Sequence, residues 1–404
     1  MILFLYLFIG LYLLIKFKSY IKLKYTNEII NKDKNISSFQ SLFHSLSSCM
    51  GTANIIGVSI LILTFGPGVI FWMMVQAILG SIYKFFETFY TIKFRSINEK
   101  KENISGPMYY LSFVSNYLGI IYSIFLIIVS LTLGNLIQIN SIKITFLKTF
   151  NFKIIYISIF LAFIIYLSIK DGIKKIVKYT DIIIPLVSIF YLLSCFIILY
   201  FQRINILSSI KLIFIDAFKI KSLLGISIYT LFKYGITRGL FSNEAGIGSG
   251  SIAFGASFNT NPKKEGLISM LNPIIDTLVV CFISSIVILS NNNLKYNINN
   301  PENFIIDIFI EHFGKYGSYI MSISMFFFAF AAILGWYYFG EKGVEFLFKN
   351  PLYKKIYLFI FVLFSFLGFY INTNFIYKLT DVSILFLLVP NIIGLFILTK
   401  KNIK

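Results

Sequence analysis

The segment RGLFSNEAGIGSGS at residues 238–251 interrupts an otherwise apolar stretch of the sequence. Each glycine in it weakens a helix by about 1 kcal/mol relative to alanine. Arg238 and Glu244 would each cost at least about 2.5 kcal/mol at the centre of a bilayer. Irregular backbone persists at membrane depth only where it lines a cavity inside the protein. A second interruption, Gly51-Thr52-Ala53-Asn54, lies in the first half of the chain. Paired breaks of this kind indicate a binding site for a solute or an ion.

The chemistry available at such breaks comes mainly from the backbone. Free N–H groups at the start of a half-helix attract an anionic group, and freed carbonyl groups bind a cation. The candidate binding residues at the two breaks are Gly51, Thr52, Asn54, Ser242, Asn243 and Gly246. The alternative is that Gly51 and Gly57 serve only close helix packing, as small residues do in membrane helices.

Two further apolar segments offer polar or aromatic groups to the same cavity. Asn135 and Gln138 lie three residues apart within LTLGNLIQINS, which places them on one helix face, and Asn140 follows. These side chains either line the cavity or form hydrogen bonds between helices. Trp336, within FFFAFAAILGWYYFGEKG, either walls a small pocket or belongs with Tyr337 to an interfacial aromatic belt.

The remaining polar residues of the apolar segments have simpler predicted roles. Asp276, and Lys84 with Glu87 three residues later, are interpreted as structural ion pairs near the cytoplasmic ends of their helices. The three cysteines are widely separated and are expected to be small buried hydrophobes. His44 and His312 are too few and too far apart for a metal site, so they are interpreted as polar residues at helix ends.

The composition is that of a polytopic membrane protein. The chain has 404 residues, is 57% hydrophobic and 13% charged, and has a mean hydropathy of +0.82. A soluble domain carries about 25% charged residues. The net charge of +19 does not indicate nucleic acid as a partner, because 33 of the 36 basic residues are lysines, mostly in loops. Specific nucleic-acid sites rely mainly on arginine. The predicted surroundings are therefore a lipid bilayer.

Apolar runs long enough to cross a bilayer predict about eleven helices. An extra N-terminal helix lies near residues 1–16, without the cleavage site of a signal peptide, and a basic cytoplasmic loop completes residues 1–36. Core helix 6 would rise about 54 Å if continuous, against a hydrocarbon core of about 30 Å, so it must be broken. The ten core helices are predicted near residues 40–65, 68–93, 109–142, 153–170, 180–201, 223–258, 266–290, 315–341, 355–370 and 376–399.

The loops between these helices predict an orientation and a symmetry. One side carries 23 basic loop residues and the other carries 10, which places the N-terminus outside and the C-terminus in the cytoplasm. Core helix 1 then starts at the cytoplasm and core helix 6 starts outside. The transporter core at residues 37–404 is therefore predicted to contain two inverted repeats of five helices, at about 37–202 and 203–399. Core helices 1 and 6 are the broken members of the two halves.

These segments strongly resemble one known family, the alanine or glycine:cation symporters, also called the sodium:alanine symporter family. The resemblance covers nearly all of residues 37–399 in order, and its most specific parts are the Gly-Thr-small-Asn core and SNEAG. The matching stretches are SSFQSLFHSLSSCMGTANIIGV, FGPGVIFWM, YKFFE, SGPMYYL, GNLIQINSI, DGIKKIVKYTDIIIPLVSIFYLL, RGLFSNEAGIGS, LISMLNPIIDTLVVC, FFFAFAAILGWYYFGE and LTDVSILFLLVPN.

The resemblance implies the leucine-transporter-like fold, an all-α polytopic bundle of ten core helices with one extra N-terminal helix. It implies cation-coupled uptake of alanine, glycine or a similar small neutral amino acid across the cell (inner) membrane. Sodium is the implied coupling ion, and no other cofactor is implied. Thr52, Asn54 and Gln138 fall at positions expected to meet the substrate, and the residues from Ser242 to Gly246 are expected to face it from core helix 6.

Three departures from the family pattern bear on these expectations. The family commonly has Ser-Thr where this chain has Ala331-Ala332. In the leucine-transporter-like fold, hydroxyl groups there help to bind sodium against carbonyl groups of core helix 1, near Gly51. Two methyl groups supply no ligand, so a degenerate cation site at Gly51, Ala331 and Ala332 predicts weakened sodium coupling. Ala53 stands where the family usually has glycine, which predicts a narrower pocket. Some loops are also short for the family.

The sequence thus predicts a secondary transporter, and not an enzyme, that imports a small neutral amino acid by alternating access of core helices 1 and 6 against the scaffold. A sodium-independent carrier, proton-coupled or facilitative, is the main alternative. A channel or receptor-like protein on the same fold is a further alternative. An intramembrane enzyme would need a clustered set of acids, bases or metal ligands, which two distant histidines do not provide.

Overall fold

The structure of the chain, a computed structural model, describes residues 2–20, 37–97, 103–150, 153–219, 227–257, 259–291 and 301–401. These residues are almost entirely helical, which confirms the predicted all-α class. The exception is a short antiparallel ladder that pairs β1 (Ser96–Ile97) with β2 (Asn103–Ile104). Most of the predicted basic cytoplasmic loop, at residues 21–36, lies outside the described residues.

The helices of the first half contain one complete interruption and one local widening. A 3₁₀ turn over Thr52–Asn54 separates α2 from α3. A π-helical segment over Thr132–Leu136 joins α6 to α7, so that Asn116–Thr149 forms one long helix. The helices are α1 (Ile2–Tyr20), α2 (Ser38–Cys49), α3 (Ile56–Phe65), α4 (Gly68–Lys93), α5 (Pro107–Val114), α6 (Asn116–Leu131), α7 (Ile137–Thr149), α8 (Ile154–Ile169) and α9 (Ile173–Phe201).

The helices of the second half repeat both features. The chain leaves α11 at Asn243 and becomes helical again only in α12, and a π-helical segment over Ile274–Cys281 joins α14 to α15. The helices are α10 (Arg203–Ala217), α11 (Ile228–Asn243), α12 (Ser251–Gly255), α13 (Pro262–Ser269), α14 (Leu271–Pro273), α15 (Phe282–Ser290), α16 (Phe304–Phe313), α17 (Lys315–Leu347), α18 (Leu352–Leu367) and α19 (Thr373–Lys400).

Seven helical spans within the described residues are long and apolar enough to cross a membrane. This agrees with the predicted multi-pass membrane protein. The helices α3 and α8 are apolar but shorter. The seven spans are Ile2–Tyr20, Gly68–Lys93, Asn116–Thr149, Lys175–Phe201, Pro262–Ser290, Lys315–Leu347 and Lys378–Lys400.

Both predicted helix breaks are confirmed. The first falls at the Gly-Thr-Ala-Asn segment and the second begins at Glu244. The hydropathy-based assignment misses two helices, α10 and α16, which lie between predicted core helices. With 15 and 10 residues, they are shorter than a membrane span and carry interspersed polar residues, so a search for long apolar runs passes over them.

Local sequence signals position the first broken helix. Ser37 and Gln40 form a capping box at the start of α2: the Ser37 hydroxyl accepts the Gln40 N–H at 3.2 Å, and the Gln40 side chain accepts the Ser37 N–H at 2.8 Å. The far end of α3 is fixed by Gly66, whose φ of 98° lies in the region that glycine favours. Pro67 follows and leads into α4.

Close helix approach brings α17 and α11 to the centre of the bundle. An added Cβ on Gly134, in the π-helical part of α6–α7, would lie 2.2 Å from Trp336 Cβ, so only glycine permits this contact with α17. An added Cβ on Gly239 would lie 2.6 Å from Gln76 Oε1, so the Gln76 side chain of α4 packs directly against α11 there. The first helix, α1, packs on α4 through Tyr6, whose ring stacks on Tyr83 with centroids 4.5 Å apart.

Candidate functional site

The second helix break has a backbone that its sequence explains. Among the described residues, Glu244 is the one non-glycine residue with a positive φ, at 56°. Gly246 and Gly248 follow with φ values of 96° and 87°. A left-handed non-glycine residue costs on the order of 1–3 kcal/mol and tends to occur at functional sites. The glycines allow the chain to cross seven residues without a helix, from Glu244 to Gly250, before α12 begins.

The two breaks border one cavity of about 240 Å³. It runs from the breaks along α3 toward the start of α4. Ala53 lines it, so the predicted extra methyl group does face the pocket. An engineered cavity of about 150 Å³ accommodates benzene, so the volume here leaves room for more than an alanine side chain. The lining residues are Ser48, Cys49, Ala53, Gly57, Ile60, Leu61, Thr64, Phe65, Met73, Leu133, Ile137, Gln138, Arg238, Phe241, Glu244, Thr380 and Asp381.

Gln138 joins the long helix α6–α7 to the first break. Its Oε1 accepts the Thr52 N–H at 3.4 Å, and its Nε2 donates to the Leu133 carbonyl at 3.4 Å. An added Cβ on Gly51 would lie 2.8 Å from Gln138 Oε1. The structure therefore brings together Gln138, Gly51 and Thr52, and Gln138 lines the cavity.

Glu244 is a cavity residue that the sequence analysis covered only within the range from Ser242 to Gly246 and did not name individually as a binding residue. Its Oε2 accepts hydrogen bonds from the Ser249 hydroxyl at 2.5 Å and from the Ser48 hydroxyl at 3.3 Å. Its Oε1 is buried and has no partner among the described residues. The position of a carboxylate inside a glycine-rich break was the available sequence signal for a specific role of Glu244.

The polar side chains of the second break and of the first break meet at Asp276 instead of in the cavity. Asn54 Nδ2 donates to Asp276 Oδ1 at 2.5 Å and to its carbonyl oxygen at 3.3 Å. The Ser242 hydroxyl donates to Asp276 Oδ2 at 2.7 Å, and the Thr277 hydroxyl donates to the same oxygen at 3.0 Å. Asn243 Nδ2 donates to Thr277 Oγ1 at 3.0 Å. Asp276 thus connects both broken helices to the π-helical segment.

The opposite end of the cavity carries opposite charges. Arg238, in α11, and Asp381, in α19, form an ion pair with an N–O distance of 3.4 Å. The Arg238 guanidinium also lies over the Phe241 ring, 5.3 Å from its centroid. The arrangement is a cavity between two broken helices, polar at the breaks and bounded by an ion pair, which is the geometry of a solute site in a membrane transporter.

Comparison with known proteins agrees with this geometry, because residues 1–404 match the sodium:alanine symporter family. The chain belongs to that family. It is 33% identical to the sodium/alanine symporter AgcS of Methanococcus maripaludis, over 90% of this chain and 82% of the relative. It is 32% identical to the uncharacterized transporter YflA of Bacillus subtilis, over 91% of this chain and 79% of the relative. It is 28% identical to the probable sodium/glutamine symporter GlnT of Bacillus subtilis, over 92% of this chain and 78% of the relative.

Several predicted binding residues of this symporter-family chain lie away from the cavity. Asn54, Ser242 and Asn243 surround Asp276, as described above. Gly246 turns toward α4 and α19: its N–H donates to Glu87 Oε1 at 2.8 Å, and its carbonyl accepts from Asn391 Nδ2 at 2.8 Å. These contacts place Gly246 on the side of the break that faces α4 and α19.

Trp336 is fully buried inside the protein, which does not fit the alternative of an interfacial aromatic belt. Its Nε1–H donates to the Ser48 carbonyl at 3.2 Å and so holds α17 against the end of α2. Trp336 does not line the cavity, whereas Ser48, whose carbonyl it contacts, does. Asn135 donates to the Phe361 carbonyl at 2.8 Å, which is the interhelical role, whereas Gln138 faces the cavity.

The predicted ion pairs of the apolar segments differ in the structure. Lys84 and Glu87 form no direct ion pair in the described part of the chain. Glu87 accepts from the Gly246 N–H and from Asn391, while the buried Lys84 Nζ has no hydrogen-bond partner among the described residues. Asp276 likewise has no basic partner there, so its assignment to a structural ion pair is wrong.

The remaining sequence-based assignments concern small or isolated residues. The cysteines are free and buried, as predicted. His312 lies at the end of α16 as predicted, but His44 lies within α2, fully buried beside the rings of Tyr338 and Phe339. Ala331 and Ala332 are fully buried in α17.

One turn beyond Ala331, α17 reaches the first broken helix. An added Cβ on Gly335 would lie 2.9 Å from Ser47 Oγ, so α17 and α2 pack closely at this point. Gly51, the third member of the predicted cation site, lies against Gln138. The two alanines therefore bring apolar methyl groups, and no oxygen ligand, to this side of the bundle.

Proposed function

We propose that this protein is a secondary transporter that imports a small neutral amino acid of the alanine or glycine class, with sodium as the coupling ion. The observation that carries the proposal is the cavity between the two helix breaks, with an unpartnered carboxylate oxygen of Glu244 on its wall. A zwitterion needs one cationic and one anionic partner. In this cavity Glu244 is the anionic partner, and the N-terminal end of α3 at the first break is the positive partner.

The substrate ammonium group binds at Glu244 in this proposal, where Oε1 is available. The substrate carboxylate binds at the first break. Ala53 and Gly57 line the cavity there, and α3 begins at Ile56, so N–H groups of its first turn lack helical acceptors. The positive end of the α3 dipole favours a negative group at the same place. Gln138 supplies a neutral amide between the two ends.

The lengths of the helices support the proposed five-plus-five inverted repeat. After each broken helix comes a long helix, of 26 residues in α4 and 29 in α13–α15. A short helix follows, of 8 residues in α5 and 10 in α16. The next pair is α6–α7 with 34 residues and α17 with 33. The following pair, α8 and α18, has 16 residues in each helix. The last pair is α9 with 29 residues and α19 with 28. Such a match is what two copies of one unit would produce, at about residues 37–202 and 203–399 after an N-terminal part at 1–36.

The proposed placement follows from the same repeat and from the loop charges. The N-terminus lies outside and the C-terminus lies in the cytoplasm of the cell (inner) membrane, because the basic loop residues concentrate on one side. In this orientation the Arg238–Asp381 end of the cavity faces outward. Alternating access then consists of movement of α2–α3 and α11–α12 against the remaining helices.

Uptake by reconstituted protein tests the proposal. Proteoliposomes should accumulate labelled alanine or glycine when an inward sodium gradient is imposed, and preloaded unlabelled substrate should accelerate entry by counterflow, which a channel does not show. Saturable uptake of neither amino acid, with or without sodium, would refute the proposal.

A substitution at Glu244 tests directly whether this carboxylate binds the substrate ammonium group. Glu244→Gln keeps the size of the side chain but removes its charge. A hydrogen bond to a charged group contributes about 1.5–3 kcal/mol, so alanine affinity should fall about 10- to 150-fold. Asp171→Asn is the matched control, since Asp171 is a surface carboxylate paired with Lys175 far along the chain from the breaks. Equal affinity in the two variants would show that Glu244 does not bind the ammonium group.

A further inference from the structure

Lys84 is a buried lysine of α4 whose ammonium group has no hydrogen-bond partner among the described residues. Removing an ammonium group from water without giving it a partner is very unfavourable. Lys84 is also not one of the residues that line the cavity, so it does not take part in the substrate site described above. Its charge therefore calls for a different role.

The Lys84 ammonium group lies against the start of α12. An added Cβ on Gly250 would lie 2.6 Å from Lys84 Nζ and 2.6 Å from Ser45 Oγ. The backbone of Gly250 does not itself require glycine, because its φ of −61° and ψ of −22° are helical values that any residue adopts. Gly250 instead leaves the space that the ammonium group of Lys84 occupies.

Glu244 reaches the same part of the structure. Its Oε2 accepts hydrogen bonds from the hydroxyl of Ser249, the residue before Gly250, and from the hydroxyl of Ser48. Lys84 is accordingly the principal charge that acts on Glu244. Glu244 Oε1 and Lys84 Nζ are nevertheless both unpartnered in the described structure. The Glu244 carboxylate thus borders the cavity and lies close to a buried ammonium group at the same time.

Glu87 is a second carboxylate that Lys84 attracts, three residues along α4. Fixed donors hold its Oε1, which accepts the Gly246 N–H at 2.8 Å and Asn391 Nδ2 at 3.0 Å. One lysine and two carboxylates leave one negative charge unbalanced. A substrate ammonium group at Glu244 would balance it, and Lys84 would then serve Glu87. Without substrate, Lys84 is the cation available to both carboxylates.

We propose that Lys84 takes the place of the substrate ammonium group at Glu244 once the substrate has left, and so allows the unloaded transporter to return. The lysine side chain has a long, flexible stem, so its ammonium group moves between two neighbouring carboxylates by rotation of its own bonds. The inference rests on the proposed function, in which the substrate ammonium group binds Glu244.

The location of Lys84 fits release of substrate into the cytoplasm. Arg238, at the outward end of the cavity, precedes the second break, whereas Gly250 follows it. In the proposed orientation, the Lys84 ammonium group therefore lies on the cytoplasmic side of Glu244. It is placed to approach the carboxylate as the substrate departs in that direction.

Two modes of transport separate the return of the unloaded protein from the other steps. Exchange of external labelled alanine for internal alanine, with sodium saturating on both sides, uses only the loaded protein. Net uptake into alanine-free proteoliposomes also requires the unloaded protein to return. Lys84→Gln leaves Glu244 without a counter-charge in that step, and an unpaired buried charge is strongly unfavourable. Net uptake should therefore fall at least about tenfold, while exchange stays within about twofold of the wild type.

Lys175→Gln is the matched control, since Lys175 is a surface lysine paired with Asp171, and it should leave both modes unchanged. Net uptake by Lys84→Gln at the wild-type rate would overturn the proposal. An equal loss of both modes in a folded Lys84→Gln protein would also overturn it, because that result indicates a purely structural role.

Gly250→Ala tests the same step with the lysine in place, in case Lys84→Gln does not fold. Its Cβ would lie 2.6 Å from Lys84 Nζ, so the flexible end of that side chain must move away. The ratio of net uptake to exchange should fall about two- to tenfold, the range between a weakened and a lost pairing. A wild-type ratio in Gly250→Ala would contradict the proposed movement of Lys84.

A double-mutant cycle tests the pairing without any transport measurement. Thermal unfolding midpoints are measured in detergent, without amino acid, for the wild type, Lys84→Gln, Glu244→Gln and the double variant. Lys84→Gln should lower the midpoint when Glu244 is present and lower it less in the Glu244→Gln background, because residues that interact are not additive. An equal effect of Lys84→Gln in both backgrounds would overturn the proposal.

The outcomes separate this proposal from the proposed function. Non-additive midpoints in a protein that takes up neither alanine nor glycine would refute the proposed substrate and retain the Lys84–Glu244 pairing. Sodium-driven alanine uptake, with the same ratio of net uptake to exchange in wild type and Lys84→Gln, would retain the proposed function and refute the role of Lys84.

Discussion

The Arg238–Asp381 ion pair faces outward in the proposed orientation, so we expect it to close the mouth of the cavity, and this allows a quantitative prediction. The Arg238 and Asp381 side chains are 31% and 43% exposed, and their charged atoms are 3.4 Å apart. Ion pairs exposed to this extent contribute about 0.2–1 kcal/mol, because solvent screens them and two side chains must be ordered. Asp381→Asn removes this contribution and leaves Arg238 free to keep its contact with the Phe241 ring.

The loss should shift the balance between a closed and an open mouth toward the open form. Since 1.4 kcal/mol corresponds to a tenfold change, about 0.2–1 kcal/mol corresponds to about a 1.4- to 5-fold rise in the open-to-closed ratio. The wild-type mouth should also open more readily at high salt, because the pair is partly exposed to solvent. The difference between wild type and Asp381→Asn should therefore shrink as salt is added.

Cys49 provides the measurement, because it is a free cysteine that lines the cavity. Its modification by a small, water-soluble thiol reagent is followed in detergent by peptide mass spectrometry, which separates it from Cys195 and Cys281. When opening and closing are fast relative to modification, the rate follows the open fraction. We expect a rise of about 1.4- to 5-fold in Asp381→Asn and none in the control Asp171→Asn. An unchanged or slower rate in Asp381→Asn would refute the role of the pair in closing the cavity.

Two further predictions concern the first helix break and the α17 side of the bundle. Gly51→Ala should weaken alanine binding, measured by equilibrium competition, because its Cβ would lie 2.8 Å from Gln138 Oε1 and displace that side chain. Asp171→Asn, at a surface carboxylate paired with Lys175, is the control; equal alanine affinities of the two variants would exclude this role of Gln138. Ala331→Ser combined with Ala332→Thr adds two hydroxyl ligands and should lower the sodium concentration that half-activates uptake. A sodium titration with no such decrease would show that these alanines do not influence coupling.

The sequence by itself determined where the helices are interrupted. The breaks depend on local properties, since clustered glycines and charged residues cannot continue an apolar helix without loss of stability, whatever surrounds them. The all-α class and the membrane spans were predictable for the same reason, because long apolar runs must satisfy their own backbone hydrogen bonds. The short helices α10 and α16 were not predicted, because their sequences are neither long nor uniformly apolar.

Only the tertiary structure decided which polar groups face each other. Helical spacing placed Asn135 and Gln138 on one face of a helix. In the structure, Asn135 lies in the π-helical segment and donates to the Phe361 carbonyl, whereas Gln138 faces the cavity. Asp276 became important only through Asn54 and Ser242, which lie far from it in sequence. The rotation of each helix and the contacts between distant helices depend on packing across the whole bundle, which no local pattern contains.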